Sequence, residues 1–309
     1  MFRLAHLSDP HLGPLPEPKV RELMSKRVLG YLNWRLHRGG AMRPTVLDDL
    51  VADVRAHAPD HVAVTGDIVN IALDAELEPA RHWLSSLGRG ADVSVVPGNH
   101  DAYVPGALKR ASGVWGPFLW GDGGEHVRFP FVRRRGKAAI IGVSSAKATG
   151  PFMATGTLDA SQALLLGEAL EHARHEGLAR VVLIHHPPLD GATPWAGRLI
   201  GAERFRDVVR AAGAELVLHG HTHIGSVNWI AGADAPVPVV GVPSASSRRS
   251  AGWNLIEIDG EAGAWSVRLT ERGVSAGAGG MTTLGSTLLQ APDQARITGR
   301  ALRSSRRMR

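Results

Sequence analysis

Short apolar runs and longer segments of helical periodicity succeed one another along most of the chain. The runs are rich in Val, Ile and Leu, whereas in the longer segments apolar residues recur every three to four positions. The pattern predicts strands at 3–8, 62–66, 93–96, 138–144, 181–185 and 215–219, and helices at 45–57, 74–88, 159–175 and 203–212. This order of elements is typical of a layered α/β domain.

The pattern changes after residue 225, where helical segments stop. Four further strand-like runs predict an antiparallel sheet that completes a sandwich. From Gly273 the composition shifts to Gly, Ala and Ser and then to an Arg-rich end, which is typical of a linker and a mobile tail. The sequence therefore predicts a domain at 1–270 and a linker with tail at 271–309. The four runs are 226–231, 237–242, 253–258 and 264–270.

Composition restricts the class of protein. With 309 residues, 44% hydrophobic and 21% charged, the chain is an ordinary globular one and neither a disordered polymer nor a coiled coil. It contains no cysteine, so disulfide frameworks, thiol nucleophiles and Cys-ligated clusters are excluded, and any metal would rest on His, Asp, Glu or Asn. No apolar stretch approaches the roughly 20 residues that span a bilayer. We expect a soluble, cytoplasmic protein.

The net charge of +6 is unevenly distributed. Residues 281–309 contain six Arg and one Asp, so the remainder is nearly neutral and predicts no single basic binding face. The basic runs at 133–135 and 248–249 raise a nuclease interpretation, because Arg binds phosphates. Such runs without interleaved aromatic residues are more typical of solvated loops, and a nucleic-acid partner is not favoured.

Residues 20–38 combine basic side chains with apolar residues at helical spacing, which predicts a basic amphipathic helix. Such a helix either contacts a membrane surface or caps the edge of the core, and both interpretations stay open. The apolar positions are Val20, Met24, Val28, Leu32 and Leu36, and the charged ones are Arg21, Lys26, Arg27, Arg35, Arg38 and Glu22.

Five polar clusters follow predicted strands. The carboxyl ends of strands in an α/β sheet are where ligands bind, so we expect the five loops to converge on one rim. A single Gly-Asp pair is only a turn signal, and Gly-Asn-His-Asp can form an Asx turn. The prediction of a site depends on all five occurring in order. They are Asp9-Pro10-His11, Gly66-Asp67, Gly98-Asn99-His100-Asp101, His185-His186 and Gly220-His221-Thr222-His223.

The candidate ligands in these clusters are two carboxylates, one amide oxygen and four imidazoles, which is too many for one metal ion. Two ions about 3.5–4 Å apart, sharing a carboxylate, would use the whole set, and such pairs are used for phosphoryl transfer. Ligation by nitrogen and oxygen without sulfur suits Mn, Fe or Zn more than Mg or Ca. The candidate ligands are Asp9, His11, Asp67, Asn99, His185, His221 and His223.

The ordered motifs D-x-H, GD, GNHD, a His after a strand, and GHTH resemble those of the calcineurin-like metallophosphoesterases over about residues 2–260. The resemblance implies a four-layer α/β/β/α sandwich and two divalent or mixed-valence ions, Mn, Fe or Zn, per chain. One ion would be held by Asp9, His11, Asp67 and His223, and the second by Asp67, Asn99, His185 and His221, with Asp67 shared.

The same resemblance implies roles for two further residues. His100 would lie beside the phosphate as proton donor or transition-state stabiliser, and Asp101 would orient it. In this family the first His of a His-His pair is usually the ligand, which favours His185 over His186. No organic cofactor is implied.

The implied activity is hydrolysis of a phosphodiester by attack of a metal-bridging hydroxide. Since only about 30 residues separate GD from GNHD, the chain resembles bacterial class III cyclic-nucleotide phosphodiesterases, and a small diester or cyclic nucleotide is the expected substrate. The alternative is a pyrophosphatase acting on a nucleotide-linked lipid at the inner membrane face, with 20–38 as a lid. Many such enzymes have Arg where this chain has His100. A scaffold without metals is least favoured, because none of the seven ligands is missing. The oligomeric state stays open.

Overall fold

Two six-stranded sheets and the helices on their outer faces form the protein. The computed structural model describes residues 1–38, 44–247, 250–275 and 280–290. The strands are β1 Phe2–Leu7, β2 His61–Val64, β3 Val93–Val95, β4 Phe131–Arg135, β5 Ala138–Gly142, β6 Gly156–Thr157, β7 Ala179–Leu183, β8 Leu199–Ile200, β9 Leu216–His219, β10 Ser226–Ile230, β11 Val237–Gly241, β12 Gly252–Asp259, β13 Ser266–Val274 and β14 Met281–Leu288.

The first sheet has the order β14-β13-β12-β1-β2-β3 and the second the order β10-β11-β9-β7-β5-β4, while β6 and β8 form a separate pair. In each sheet the central neighbours run parallel, as β1 does with β2 and β7 does with β9. Their carboxyl ends therefore meet at one edge of each sheet. The helices are α1 Val20–Leu23, α2 Arg27–Asn33, α3 Pro44–Ala56, α4 Asp74–Leu87, α5 Ala107–Leu119, α6 Ala160–His175 and α7 Ala202–Ala212, with a π-helical turn at Trp34–Arg38 and a 3₁₀ turn at Trp195–Gly197.

Alternation along the strands produces four layers. In β1, Leu4 contacts the apolar cluster between the sheets, whereas Leu7 contacts the cluster beneath α3, α4 and α5. In β7, Val181 faces the opposite sheet and Val182 packs with α6 and α7. Successive side chains of a strand point to opposite faces, so a continuously apolar strand is buried on both sides. The predicted α/β/β/α sandwich is confirmed.

Two of the features predicted after residue 225 are corrected. The four strands after residue 225 do not form one sheet, because β10 and β11 extend the second sheet beside β9, whereas β12 and β13 extend the first beside β1. The predicted boundary at residue 270 is wrong, since β13 continues to Val274 and β14 pairs with it. Residues 291–309 of the predicted tail lie outside the described residues.

The basic run at 133–135 is also not a solvated loop, because it lies in β4. Arg133 is buried and its guanidinium donates to the carbonyl oxygens of Gly90, Val93, Trp120 and Pro117. Arg134 pairs with Glu176 and Arg135 with Asp122. These charges are used within the fold, which removes the run as support for a nuclease. The second run, 248–249, lies outside the described residues.

Residues 20–38 do not form one helix. Helix α1 ends at Leu23, a turn follows at 24–26, and α2 leads into the π-helical turn at Trp34. Within the described part of the chain, no helix is long and apolar enough to cross a membrane.

Candidate metal centre

The loops after five strands bring the predicted ligands together. Four overlapping groups have candidate ligand atoms within 4.8 Å of one another: Asp9, His11 and His223; Asp9, Asp67 and His185; His11, Asp67 and His100; and His185, His186 and His221. The remaining predicted ligand, Asn99, has its Oδ1 3.2 Å from His185 Nε2. All seven predicted ligands therefore lie in one cluster.

The backbone of this cluster is strained. Five of the predicted ligands have positive φ, a left-handed conformation that costs a residue with a side chain about 1–3 kcal/mol. Such outliers collect at functional sites, where the surrounding structure holds them in place. The φ values are 52° for Asp9, 40° for His11, 54° for Asp67, 65° for His221 and 57° for His223.

Two glycines allow close packing of these loops. A Cβ on Gly98 would collide with the Asp67 carboxylate, and one on Gly220 would collide with the Ser8 hydroxyl and lie 2.6 Å from Asp9 Oδ2. The glycines of GNHD and GHTH are thus required because the backbone, hydroxyl or carboxylate of another residue occupies the space of their missing side chain.

Each buried carboxylate divides its oxygens between backbone and imidazoles. Asp9 Oδ2 accepts from the His221 amide at 3.0 Å, and Asp9 Oδ1 lies 3.1 Å from His223 Nε2. Asp67 Oδ1 accepts from the His100 amide at 2.7 Å. Asp67 Oδ2 lies 3.4 Å from His185 Nε2 and 3.9 Å from His11 Nε2. Asp67 Oδ2 therefore faces His11, which belongs to one predicted group of ligands, and His185, which belongs to the other.

The donor set fits divalent ions. Donors that bind one ion at about 2.0–2.2 Å lie roughly 3–3.6 Å apart, and several pairs here have that separation. One of them, His11 Nε2 with His223 Nε2, is at 3.3 Å. Two imidazole nitrogens so close are unfavourable if both are charged and favourable if both face a cation. The carboxylates, amide oxygen and imidazoles suit a metal of intermediate hardness.

Backbone carbonyls orient two of the imidazoles. His185 Nδ1 lies 2.6 Å from the carbonyl oxygen of Thr65, and His11 Nδ1 lies 3.4 Å from that of Val69. If each Nδ1–H donates to its carbonyl, Nε2 keeps its lone pair for a metal. The carbonyls belong to the loop that carries Asp67, so this loop orients ligands from other strands.

The structure distinguishes His185 from His186. Both rings are buried, but His186 has a partner at each nitrogen: Ser145 Oγ at 2.8 Å from Nδ1 and Ala154 O at 3.0 Å from Nε2. Burial, followed by the neighbouring His221, holds the pKa of His186 well below its usual range. His186 is thus a neutral ring whose partners lie outside the predicted ligand set, whereas His185 Nε2 lies 3.2 Å from the predicted ligand Asn99. His185 stays the predicted ligand of the pair.

His100 lies beside Asp67 at the more open side of the cluster. Its Nε2 is 4.0 Å from Asp67 Oδ2, and its Nδ1 contacts the carbonyl oxygen of Asn70. Its ring packs edge-on against that of His11, with 4.7 Å between centroids. The sequence did not predict this role of Asn70. The contact uses the backbone oxygen, which every residue type carries, so the side chain gives no signal of it.

Asp101 holds two loops together. Its oxygens accept from the amides of Asp67, Ile68, Val69 and Gly98 at 2.8–3.2 Å. The resemblance implied that Asp101 orients His100, whereas the partner at His100 Nδ1 is the Asn70 carbonyl. Burial and the charge of Asp67 raise the pKa of Asp101 to about 7.

Electrostatics in the metal-free cluster favour anionic carboxylates and a cationic His185. Burial opposes ionisation of Asp67, but the charges of His185 and His100 hold its pKa well below the usual range. Burial likewise opposes the charge of His185, yet Asp67 raises its pKa to about 9. A metal must therefore displace a proton from His185 near neutral pH.

Two side chains outside the motifs border the cluster. The Tyr103 ring lies 5.6 Å from that of His100, and Lys26 Nζ lies 4.4 Å above the Tyr103 ring. Lys26 also donates to Thr149 Oγ1 at 3.1 Å. Burial lowers the pKa of Lys26 to about 8. The sequence placed Lys26 only on a basic helix, because its proximity to the cluster depends on contacts distant in sequence.

Taken together, the sandwich and its Asp/His cluster define the class of metal-dependent phosphoesterases. The model of the calcineurin-like phosphoesterase family matches residues 2–225, and the chain belongs to this family. The family uses a binuclear metal centre.

Solved structures share the fold at low sequence identity. A dimetal phosphatase from Danio rerio is 13% identical with a TM-score of 0.60, over 94% of this chain and 99% of that one. A purple acid phosphatase from yellow lupin, Lupinus luteus, is 10% identical with a TM-score of 0.56, over 96% of this chain and 55% of that one. A 5′-nucleotidase precursor from Thermus thermophilus is 17% identical with a TM-score of 0.50, over 87% of this chain and 54% of that one. No curated protein matches the chain.

Proposed function

We propose that this metal-dependent phosphoesterase hydrolyses phosphodiesters and that His100 supplies the leaving group with a proton. The observation that supports this is the placement of His100, whose Nδ1 contacts the Asn70 carbonyl while Nε2 lies at the open side of the cluster. Hydrolysis of an alkyl diester expels an alkoxide, which is a poor leaving group and benefits from protonation as it leaves.

Seven side chains would hold two ions, which we propose are Mn, Fe or Zn. One group is Asp9, His11, Asp67 and His223, and the other is Asp67, Asn99, His185 and His221. When bound, two such ions lower the pKa of a coordinated water and neutralise the phosphoryl oxygens.

The chain's own residues contribute positioning and a proton. Asp67 presents Oδ2 to both groups because Oδ1 is held by the His100 amide. Asp67 Oδ2 lies 4.0 Å from His100 Nε2. When both ring nitrogens carry a proton, the Nδ1–H donates to the Asn70 carbonyl and the Nε2–H is the one that reaches the leaving oxygen. Asp101 keeps the two loops in register through its four amide contacts.

The test compares bis-p-nitrophenyl phosphate with p-nitrophenyl phosphate after metal removal and addition of Mn²⁺. We expect metal-dependent turnover in which the diester is the better substrate. A strong preference for the monoester would overturn the proposal in favour of a phosphatase, the activity by which the Danio rerio protein is named.

Two substrate classes follow from the sequence. The first is a small diester or cyclic nucleotide, suggested by the short distance between GD and GNHD. The second is a nucleotide-linked lipid cleaved as a pyrophosphate, with residues 20–38 in contact with lipid. The exposure of Met24 and Leu36, 83% and 77%, favours the second class. Turnover of a cyclic nucleotide against a nucleotide-linked lipid in mixed micelles separates them. We propose a cytoplasmic location, peripheral at the inner membrane face in the second case.

A further inference from the structure

The segment 20–36 is attached to the metal centre through a basic and aromatic face. Arg27 is buried, and its guanidinium donates to the carbonyl oxygens of Ile71, at 2.9 Å, and of Ala72. Tyr31 and Trp34 pack on the small apolar cluster that includes Ile71. These partners lie on the loop that follows Asp67. The inner face of the segment is thus held to the loop that orders the metal ligands.

The opposite face of the segment exposes apolar side chains. Val20, Met24 and Leu36 are 82%, 83% and 77% exposed, and Val28 and Leu32 are 38% and 50% exposed. The segment covers the small apolar cluster with Tyr31 and Trp34, as the cap interpretation predicts. Arg27, rather than the apolar stripe, faces inward, and the stripe faces water.

Two loops add exposed aromatic residues beside the same site. Phe152, 87% exposed, lies two residues before Ala154, whose carbonyl contacts His186. Trp195, 68% exposed, lies two residues before Gly197, whose carbonyl oxygen is 3.0 Å from His221 Nε2. The loops pair with each other, since the Ala154 amide donates to Ala196 O at 2.8 Å. The segment joins them through the contact of Lys26 with Thr149.

Exposed apolar side chains are concentrated here. Eight large apolar residues of the described chain are more than 60% exposed, and only two of them, Met1 and Leu164, lie elsewhere. Exposed apolar residues on a soluble monomer are normally scattered, so a concentration around a site indicates an interaction surface. We define the apolar rim as the other six: Val20, Met24, Leu36, Phe152, Trp195 and Ile224.

The charge around the apolar rim is positive. The segments that carry it, 14–36, 146–155, 193–200 and 221–227, contain six Lys and Arg residues besides the inward-facing Arg27, and two acidic residues, Glu17 and Glu22. Arg198 lies 4.2 Å above the Trp195 ring. Apolar and aromatic side chains surrounded by Lys and Arg are typical of protein surfaces that lie at the interface of an anionic membrane.

We propose that the apolar rim docks the protein onto an anionic phospholipid bilayer, with the metal centre facing the headgroups. A second copy of the chain would bring the same positive surface against itself, which disfavours self-association through this face. Docking does not depend on the proposed reaction. One consequence does rest on it, namely that a phosphoester in the headgroup region reaches the metals without leaving the bilayer.

The test is co-sedimentation of the full chain, in EDTA, with vesicles of phosphatidylcholine alone or with about 30 mol% phosphatidylglycerol. We expect binding to the anionic vesicles, weakened roughly tenfold or more in the double variant Phe152→Ser/Trp195→Ser, since two apolar side chains no longer insert. Leu164→Ser is the matched control. Leu164 is 66% exposed on α6, outside the apolar rim, and its replacement should leave binding unchanged.

Three results would overturn the proposal. The first is that the wild type does not bind anionic vesicles. The second is that the double variant binds as well as the wild type, which would assign the attraction to charges elsewhere, such as those of the Arg-rich residues 291–309. Alternatively, sedimentation velocity shows a dimer that the double variant dissociates, which assigns the rim to a second copy. Because EDTA removes the metals, failure of hydrolysis and failure of docking are observed independently.

Discussion

The metal centre and the apolar rim depart from the usual distribution of residues in opposite directions. In the centre, Asp9 and His185 are fully buried, although charged groups are normally exposed. In the rim, Phe152 and Trp195 are largely exposed, although aromatic side chains normally contribute to a core. Neither arrangement is explained by the stability of the isolated fold, and each therefore indicates a ligand.

The two regions differ in how they are held. The carboxylates of Asp9 and Asp67 in the centre are fixed by backbone amides, and the replacement of one group leaves others buried without a partner. The side chains of the rim contribute by area, so their effects should add. A single substitution in the metal centre should therefore abolish its function, whereas each substitution in the apolar rim should weaken binding by only a part.

The largest effect is expected from Asp67→Ala. This variant removes the oxygen that faces both ligand groups, so we expect loss of both ions and of diester turnover. Metal content by mass spectrometry and hydrolysis of bis-p-nitrophenyl phosphate measure the two losses. The control is Asp234→Ala, because Asp234 is an exposed carboxylate paired with Arg174. If Asp67→Ala keeps two ions per chain, Asp67 is not shared.

His100→Asn should retain both ions and lose about 10²–10⁴-fold in turnover, the range for a proton donor. The loss should be greatest for diesters with an alkoxide leaving group and smaller for p-nitrophenolate, which leaves without a proton. A series of leaving groups measures this dependence. An equal loss for every leaving group would show that His100 only binds the phosphate.

Asp101→Asn tests whether the loops must be held rigidly. The side-chain nitrogen of Asn would face two of the backbone N–H groups that now donate to the carboxylate. Those N–H groups would then be buried without an acceptor. We expect a free energy of unfolding lower by on the order of 2–3 kcal/mol and metal affinity lower by about 10–100-fold. Urea unfolding in EDTA and a metal titration measure these effects. Wild-type values in both would mean that Asp101 is dispensable.

Metal affinity should rise with pH by about tenfold per unit up to pH 9, because one proton must leave His185 for each ion bound at its ring. The pKa of His185 in the metal-free chain, raised to about 9 by Asp67 against the effect of burial, sets the upper limit. Without metal, the raised pKa of His185 also contributes to the free energy of unfolding. This contribution is complete below about pH 6.5, the pKa of a histidine in the unfolded chain, and it is lost as the pH rises through 9. Competition titrations from pH 6.5 to 9 test the first effect, and a flat profile would contradict it.

The smallest effect is expected from deleting 291–309, a segment that follows the last described strand. Hydrolysis of a small diester should be unchanged, because the candidate ligand groups lie between Asp9 and His223. Steady-state kinetics measure this. A large loss of activity would show that a third region contributes to the site.

Much of the fold could be predicted from local pattern. The strands that carry the ligands were located to within one or two residues, because apolar β-branched runs ending in polar loops have a clear signal. Helix α5 was missed, since Gly113, Gly116 and Pro117 lower its helical propensity. The pairing of β12 with β1 was missed as well, because it joins residues such as Leu4 and Ile256 that are far apart in sequence.

What the sequence alone determined is the identity and order of the candidate ligands, because each follows a strand whose direction fixes the edge at which it lies. The tertiary structure decided which nitrogen of His185 and of His11 faces a backbone carbonyl, and that the Asn70 carbonyl contacts Nδ1 of His100. It also decided that residues 20–36 turn Arg27 inward and their apolar stripe outward. Helical spacing defines two faces, but only distant carbonyl oxygens, here those of Ile71 and Ala72, determine which face is buried.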